Sequence, residues 1–240
     1  MTTFVKQIRN MGDNRKIEMP KFTWWDWFLI LGFISASLAV SILKGEFSTL
    51  SFIAGTCSIL CVIFGAKGNM LNFLFGLVGS IILGYIMFGT GVVGMAVFYL
   101  LYNAPMQIVG WFKWKQRRLS PDSVVIKTRW MSWGQRILMI ISTLLLGTVM
   151  YFVLKEVPHE DQPLSDAAAV AVAAVTQFVL VFAFIEQWFL WIVLDIVMSI
   201  VWIVAWQAGK PHAAIQLILQ LFYLINAFRG VYLWSKLEKK

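Results

Sequence analysis

Eight apolar runs, each close to the length of a helix that crosses a bilayer, leave this chain little choice but to fold as a membrane bundle. They are Trp24–Leu43, Phe47–Ala66, Met70–Phe88, Gly91–Phe112, Ile137–Leu154, Ala167–Ile185, Gln187–Trp206 and Ala213–Phe228. A helix rises about 1.5 Å per residue, so about 20 residues span a hydrocarbon core of about 30 Å. With 60% hydrophobic and 13% charged residues and a mean hydropathy of +0.76, the composition excludes a soluble domain. The expected fold is all-α and integral to the membrane, with eight transmembrane helices. The first 23 residues are polar and basic, without an apolar h-region or a small-residue cleavage site, so no signal peptide is expected.

Eight crossings put both termini on one side of the membrane. Seventeen of the 20 basic residues fall on the side that holds the termini, Lys67 and the long loop from Lys113 to Arg136. Only Lys44, Lys155 and Lys210 fall on the other. The positive-inside bias therefore predicts cytoplasmic termini. The net charge of +8 follows from this topology and from contact with anionic lipid, and implies no nucleic-acid partner.

Internal similarity divides the bundle further. Asn69-x-x-Asn72 followed by Gly76 and Ser80 matches Trp188-x-x-Trp191 followed by Asp195 and Ser199 at an offset of 119 residues. Gly110 and Trp114 match Gly230 and Trp234 at an offset of 120. The pattern predicts two parallel three-helix repeats joined by a linker helix, with one helix added in front, a 1 + (3 + 1 + 3) layout. The expected segments are a tail at 1–23, the added helix at 24–43, a first repeat at 47–114, a basic loop and linker helix at 115–166, a second repeat at 167–234 and a tail at 235–240. In such transporters the substrate sits between the halves.

Polar residues inside the spans mark a candidate substrate path. Trp188, Trp191 and Asp195 share one helical face, and a carboxylate inside an apolar span is costly unless it meets a polar cavity or a partner. Two indoles beside one negative charge suit a flat, cationic guest. Tyr99, Asn103, Gln107 and Gly110 form a stripe on span four, interrupted by Pro105, which can kink the helix and free a carbonyl. Gln216, Gln220 and Tyr223, with Asn226 slightly off the line, form another on span eight, and span six adds Thr176 and Gln177. The alternative for each amide is bonding between helices as packing glue. Glu186 at a helix start and Arg229 at a helix end are expected to complement helix dipoles.

Other chemistries find little support. Cys57 and Cys61 lie four apart on span two, a spacing at which helical cysteines pack as small apolar groups. His159 and His212 lie in separate outer loops, so no metal-ligand set or catalytic triad assembles, and nucleotide-binding glycine loops are absent. No cofactor and no enzyme activity are expected.

The stretch Ile185-Glu186-Gln187-Trp188-Phe189-Leu190-Trp191-Ile192-Val193-Leu194-Asp195, with Asn103-Ala104-Pro105-Met106-Gln107 and Gly110-Trp111-x-x-Trp114, resembles the PnuC family of nicotinamide riboside transporters through spans two to eight. The layout resembles that of the SWEET sugar transporters. The resemblance implies facilitated, uncoupled uptake of nicotinamide riboside across the bacterial inner membrane by a homotrimer, with net flux maintained by a cytoplasmic riboside kinase. It implies a site of Trp188, Trp191, Asp195, Asn103, Gln107, Gln177, Asn72, Tyr223 and Asn226. Family members commonly carry Asn where this chain has Asp195, which speaks against a strict need for a counter-ion. Thiamine, another cationic aromatic vitamin, is the rival substrate; a membrane-bound enzyme or a receptor is the rival class.

Overall fold

A computed structural model describes residues 21–44, 48–90, 92–158, 162–210 and 213–239. Most of the N-terminal tail, together with His159 and His212, lies outside these residues. Eight membrane-length helices are present among the described residues: α1 (Trp24–Lys44), α2 (Thr49–Ala66), α3 (Asn72–Thr90), α4 (Val93–Lys115), α5 (Trp133–Leu154), α6 (Pro163–Val181), α7 (Gln187–Gln207) and α8 (Ala213–Leu237). Local signals set their starts. Ser48 accepts from Ser51 N at the head of α2, Ser132 and Gln135 form a capping box at the head of α5, and Pro163 opens α6.

Helix α4 is α-helical at both ends and a π-helix over Phe98–Asn103. Ala104 N bonds to Tyr99 O, five residues back, directly before Pro105, which has no N–H to donate. Pro105 is accommodated by this π-helical stretch.

The turns α2–α3 and α6–α7 share one backbone design. Gly68 N donates to Gly65 O and Asn69 N to Phe64 O; Ala183 N donates to Leu180 O and Phe184 N to Val179 O. Gly68 and Ala183 both take a left-handed conformation, with φ of 63° and 60°. Glycine does so freely, whereas alanine pays about 1 kcal/mol for it. Subtracting the residue numbers gives an offset of 115, so the register of 119 read from the sequence is corrected by one helical turn. Asn72 corresponds to Gln187, Gly76 to Trp191, and Ser80 to Asp195.

The basic loop after α4 lies across both turns. Met70 N donates to Val124 O and Ile126 N to Gly68 O; Ile185 N donates to Arg129 O and Arg129 N to Ala183 O. Two indoles then cross-tie the helices: Trp114 Nε1 donates to Leu180 O at 3.0 Å, and Trp234 Nε1 to Gly65 O at 2.9 Å. Each indole is a second donor to its carbonyl, which already accepts from the turn residue Ala183 N or Gly68 N.

Two charges have roles other than the dipole complement expected of them. Glu186 accepts from Met131 N and from Arg136 Nε at 2.8 Å, pinning the basic loop. Arg229 pairs at 2.8 Å with Asp26 of α1, a fully buried carboxylate that also takes Lys67 Nζ at 2.6 Å. Helix α1 is thereby fastened to the end of α2 and to α8. Helix α5 buries only Leu154 and packs chiefly on α6, leaving a long apolar face for lipid.

Candidate functional site

Between the two sets of helices lies a cavity of about 100 Å³. Helix α2 brings Ser58 and Cys61 to it, α3 brings Asn72, Gly76 and Ser80, and α4 brings Tyr99, Asn103 and Gln107. Gln177 of α6, Trp188, Trp191 and Asp195 of α7, and Tyr223 and Asn226 of α8 complete the polar and aromatic lining. The nine residues of the expected site are all among the lining, as is Tyr99 of the span-four stripe, whereas Gly110, Thr176, Gln216 and Gln220 of the polar stripes are not. No Lys or Arg lines the cavity.

The α3–α4 wall is wired to itself. Gln107 Nε2 donates to Asn103 Oδ1 at 3.2 Å, Asn103 Nδ2 to Ser80 Oγ at 2.8 Å, and Ser80 Oγ to Gly76 O at 2.5 Å. Asn72 spends its amide on Asn69 O. Tyr99 and Asn103 reach the cavity from the π-helical stretch. Gly76 keeps the wall thin: a Cβ there would stand 2.6 Å from Gln107 Oε1.

The indoles differ in role. Trp188 is only 3% exposed, its ring lies so close over Gly230 that a Cβ there would sit 2.3 Å away, and it meets Trp234 edge-on at 5.8 Å. It is a wall. Trp191, half-buried and oriented by Nε1 donation to Gln187 Oε1 at 3.4 Å, is the indole available for stacking. Asp195, 2% exposed, accepts from Gln220 Nε2 on Oδ1 at 2.5 Å.

Five buried polar atoms of the lining have no protein partner: the acceptors Gln107 Oε1, Asp195 Oδ2 and Asn226 Oδ1, and the donors Gln177 Nε2 and Trp188 Nε1. Leaving such a group unpaired costs about 1–3 kcal/mol. Five around one cavity mark a place for polar matter with both donors and acceptors. An aromatic face and a carboxylate beside them favour a planar cation.

Ser58, Cys61 and Ser80 also line the cavity, although the sequence did not point to them as part of the substrate path. With the offset of 115, Ser80 would have been found as the counterpart of Asp195. Among the described residues, no three His, Cys, Asp or Glu side chains converge to hold a metal ion.

Residues 48–236 match the model of the nicotinamide mononucleotide transporter family. The chain belongs to this family. Among its relatives, the nicotinamide riboside transporter PnuC of Neisseria mucosa is 28% identical over 214 residues, 88% of this chain and 81% of the relative. PnuC of Haemophilus influenzae is 30% identical over 196 residues, 80% and 82% of the two chains. The crystal structure of the vitamin B3 transporter PnuC matches with a TM-score of 0.81 and 27% identity, covering 92% of this chain and 94% of that one. The fold is thus that of a multi-pass membrane transporter, and the relatives are transporters rather than enzymes. Helix α1 and its Asp26 precede the segment that the family model spans.

Proposed function

We propose that this protein carries nicotinamide riboside across the bacterial cytoplasmic membrane, and that the mononucleotide is not its substrate. The observation that carries the choice is the lining: an indole, one carboxylate and open amide atoms, without a single Lys or Arg. The riboside offers a cationic pyridinium ring, a carboxamide and ribose hydroxyls, which match stacking on Trp191 and the open acceptors and donors. A phosphate group would be stripped of water beside Asp195 with no cation to receive it, at a cost of several kcal/mol. The names of the curated relatives support the same substrate.

In this reading Trp191 stacks on the ring, Trp188 shapes its slot, and Asn103, Gln107, Gln177, Asn72, Tyr223 and Asn226 supply or hold hydrogen-bonding groups. Asp195 accepts from a ribose hydroxyl. The units α2–α4 and α6–α8 are two parallel halves around the site, with α5 as linker and α1 as an addition. Transport is facilitated and uncoupled, because the lining holds no second carboxylate and no His, Lys or Arg to take a proton from Asp195. Basic residues on one side set both termini in the cytoplasm. A cytoplasmic riboside kinase maintains net flux, and the assembly is a homotrimer with a pathway in each protomer, as the family resemblance implies.

Uptake into proteoliposomes tests the proposal directly. Riboside should equilibrate without a pH gradient and outpace both the mononucleotide and thiamine. Mononucleotide flux equal to riboside flux, or accumulation driven by an imposed gradient, would overturn the substrate choice or the uncoupled mechanism respectively.

A further inference from the structure

The geometry points to Gln220 as a positioning residue that fixes which oxygen of Asp195 meets the substrate, and so sets selectivity for the ribose. This inference rests on the reading of Asp195 as a substrate group. Gln220 is 7% exposed, sits on α8 and is not part of the cavity lining. Its Nε2 donates to Asp195 Oδ1 at 2.5 Å, while Oδ2 stays buried without a partner in the lining.

A carboxylate on its own can rotate about its terminal torsion and present either oxygen. A charge-assisted bond to one oxygen removes that freedom. Substrate then meets a single acceptor with a fixed direction, which suits one hydroxyl rather than a spread of donors. Preorganisation of this kind spares the ordering cost that binding would otherwise carry. The backbone of Asp195 is anchored separately, Ser199 Oγ donating to Asp195 O one turn on at 2.7 Å, so the amide of Gln220 is what governs the carboxylate itself.

The corresponding place in the other half shows the contrast. There Ser80 is held by donation to Gly76 O and receives Asn103, so its hydroxyl has both bonds within the protein. Asp195 has one oxygen engaged and one left for a guest.

The test is a double-mutant cycle on the full-length protein, read as affinity for nicotinamide riboside and for its 2′-deoxy and 3′-deoxy analogues. Gln220→Leu should weaken riboside binding roughly 5- to 20-fold and shrink the discrimination against one deoxy analogue at least threefold. Asp195→Ala should weaken riboside binding comparably or more, and the double variant should be no worse than Asp195→Ala within about twofold. Gln220→Met serves in the same cycle if the Leu variant fails to accumulate in the membrane. Effects of the two substitutions that multiply, or unchanged discrimination in the Gln220 variant, would overturn the positioning role while leaving the site intact. If Asp195→Ala binds riboside as the unaltered protein does, the assignment of Asp195 falls, and the role of Gln220 with it.

Discussion

The half of the cavity built by α2–α4 and the half built by α6–α8 share a turn geometry yet use their polar atoms in opposite ways. In the first, Gln107, Asn103, Ser80 and the Gly76 carbonyl form one relay that ends in the backbone, and only Gln107 Oε1 is left open. In the second, Gln177 Nε2, Trp188 Nε1, Asp195 Oδ2 and Asn226 Oδ1 are open. Equivalent positions carry opposite volumes as well, Gly76 against Trp191. A satisfied, thin wall facing an unsatisfied, bulky one leaves room for a guest and assigns recognition mainly to one side. Buried networks that are complete confer rigidity, whereas incomplete ones invite a ligand.

Substitutions can break this contrast. Trp191→Ala should have the largest effect, about a 100-fold loss of riboside affinity from lost stacking area and ring electrostatics, with Trp191→Phe retaining most of it. Equilibrium binding of labelled riboside measures this, and a comparable loss from Ser80→Ala would erase the proposed division of labour. Next come the paired glycines. Gly230→Ala forces Trp188 off its seat and should cost roughly tenfold in affinity, while Gly110→Ala, whose Cβ would stand 2.2 Å from Phe73, should lower the melting temperature with little change in binding. Both readouts on both variants decide the matter; equal binding losses would mean that the two walls recognise substrate alike.

Smaller effects sharpen the picture. Asp195→Asn keeps an acceptor for Gln220 but turns an N–H₂ toward the cavity where Oδ2 was, so riboside affinity should fall about three- to fivefold. A loss as large as that of Trp191→Ala would show the negative charge to be essential. Smallest of all, Ser80→Ala should leave affinity within about twofold and cost about 1 kcal/mol in stability by stranding Asn103, seen in a thermal melt of the detergent-solubilised protein.

Much of this was legible in the sequence. Apart from α8, which runs on past Phe228 to Leu237, the spans stand within a few residues of the apolar runs, because only a helix satisfies its backbone in lipid. Eight of the nine site residues stood out as polar or aromatic groups inside the spans, and Asn72 as part of the repeat motif. The repeat register did not, since 115 and 119 differ by about one turn and put nearly the same residues on the same face. The error therefore left the site unharmed, and nothing in residue type signals that Ala183 shares the left-handed turn of Gly68. The partner of Arg229 was equally hidden, lying about two hundred positions away at Asp26.

By itself, the sequence determined the membrane class, the number of crossings, the charge asymmetry and the chemical character of the path, all of which follow from local composition and helical periodicity. Tertiary structure decided which polar atoms are already spoken for. Hydrogen bonds such as Gln220 to Asp195, Asn103 to Ser80 and Asn226 to Val62 join different helices, and their short range means that only the packed arrangement can say which oxygens and nitrogens remain for a substrate.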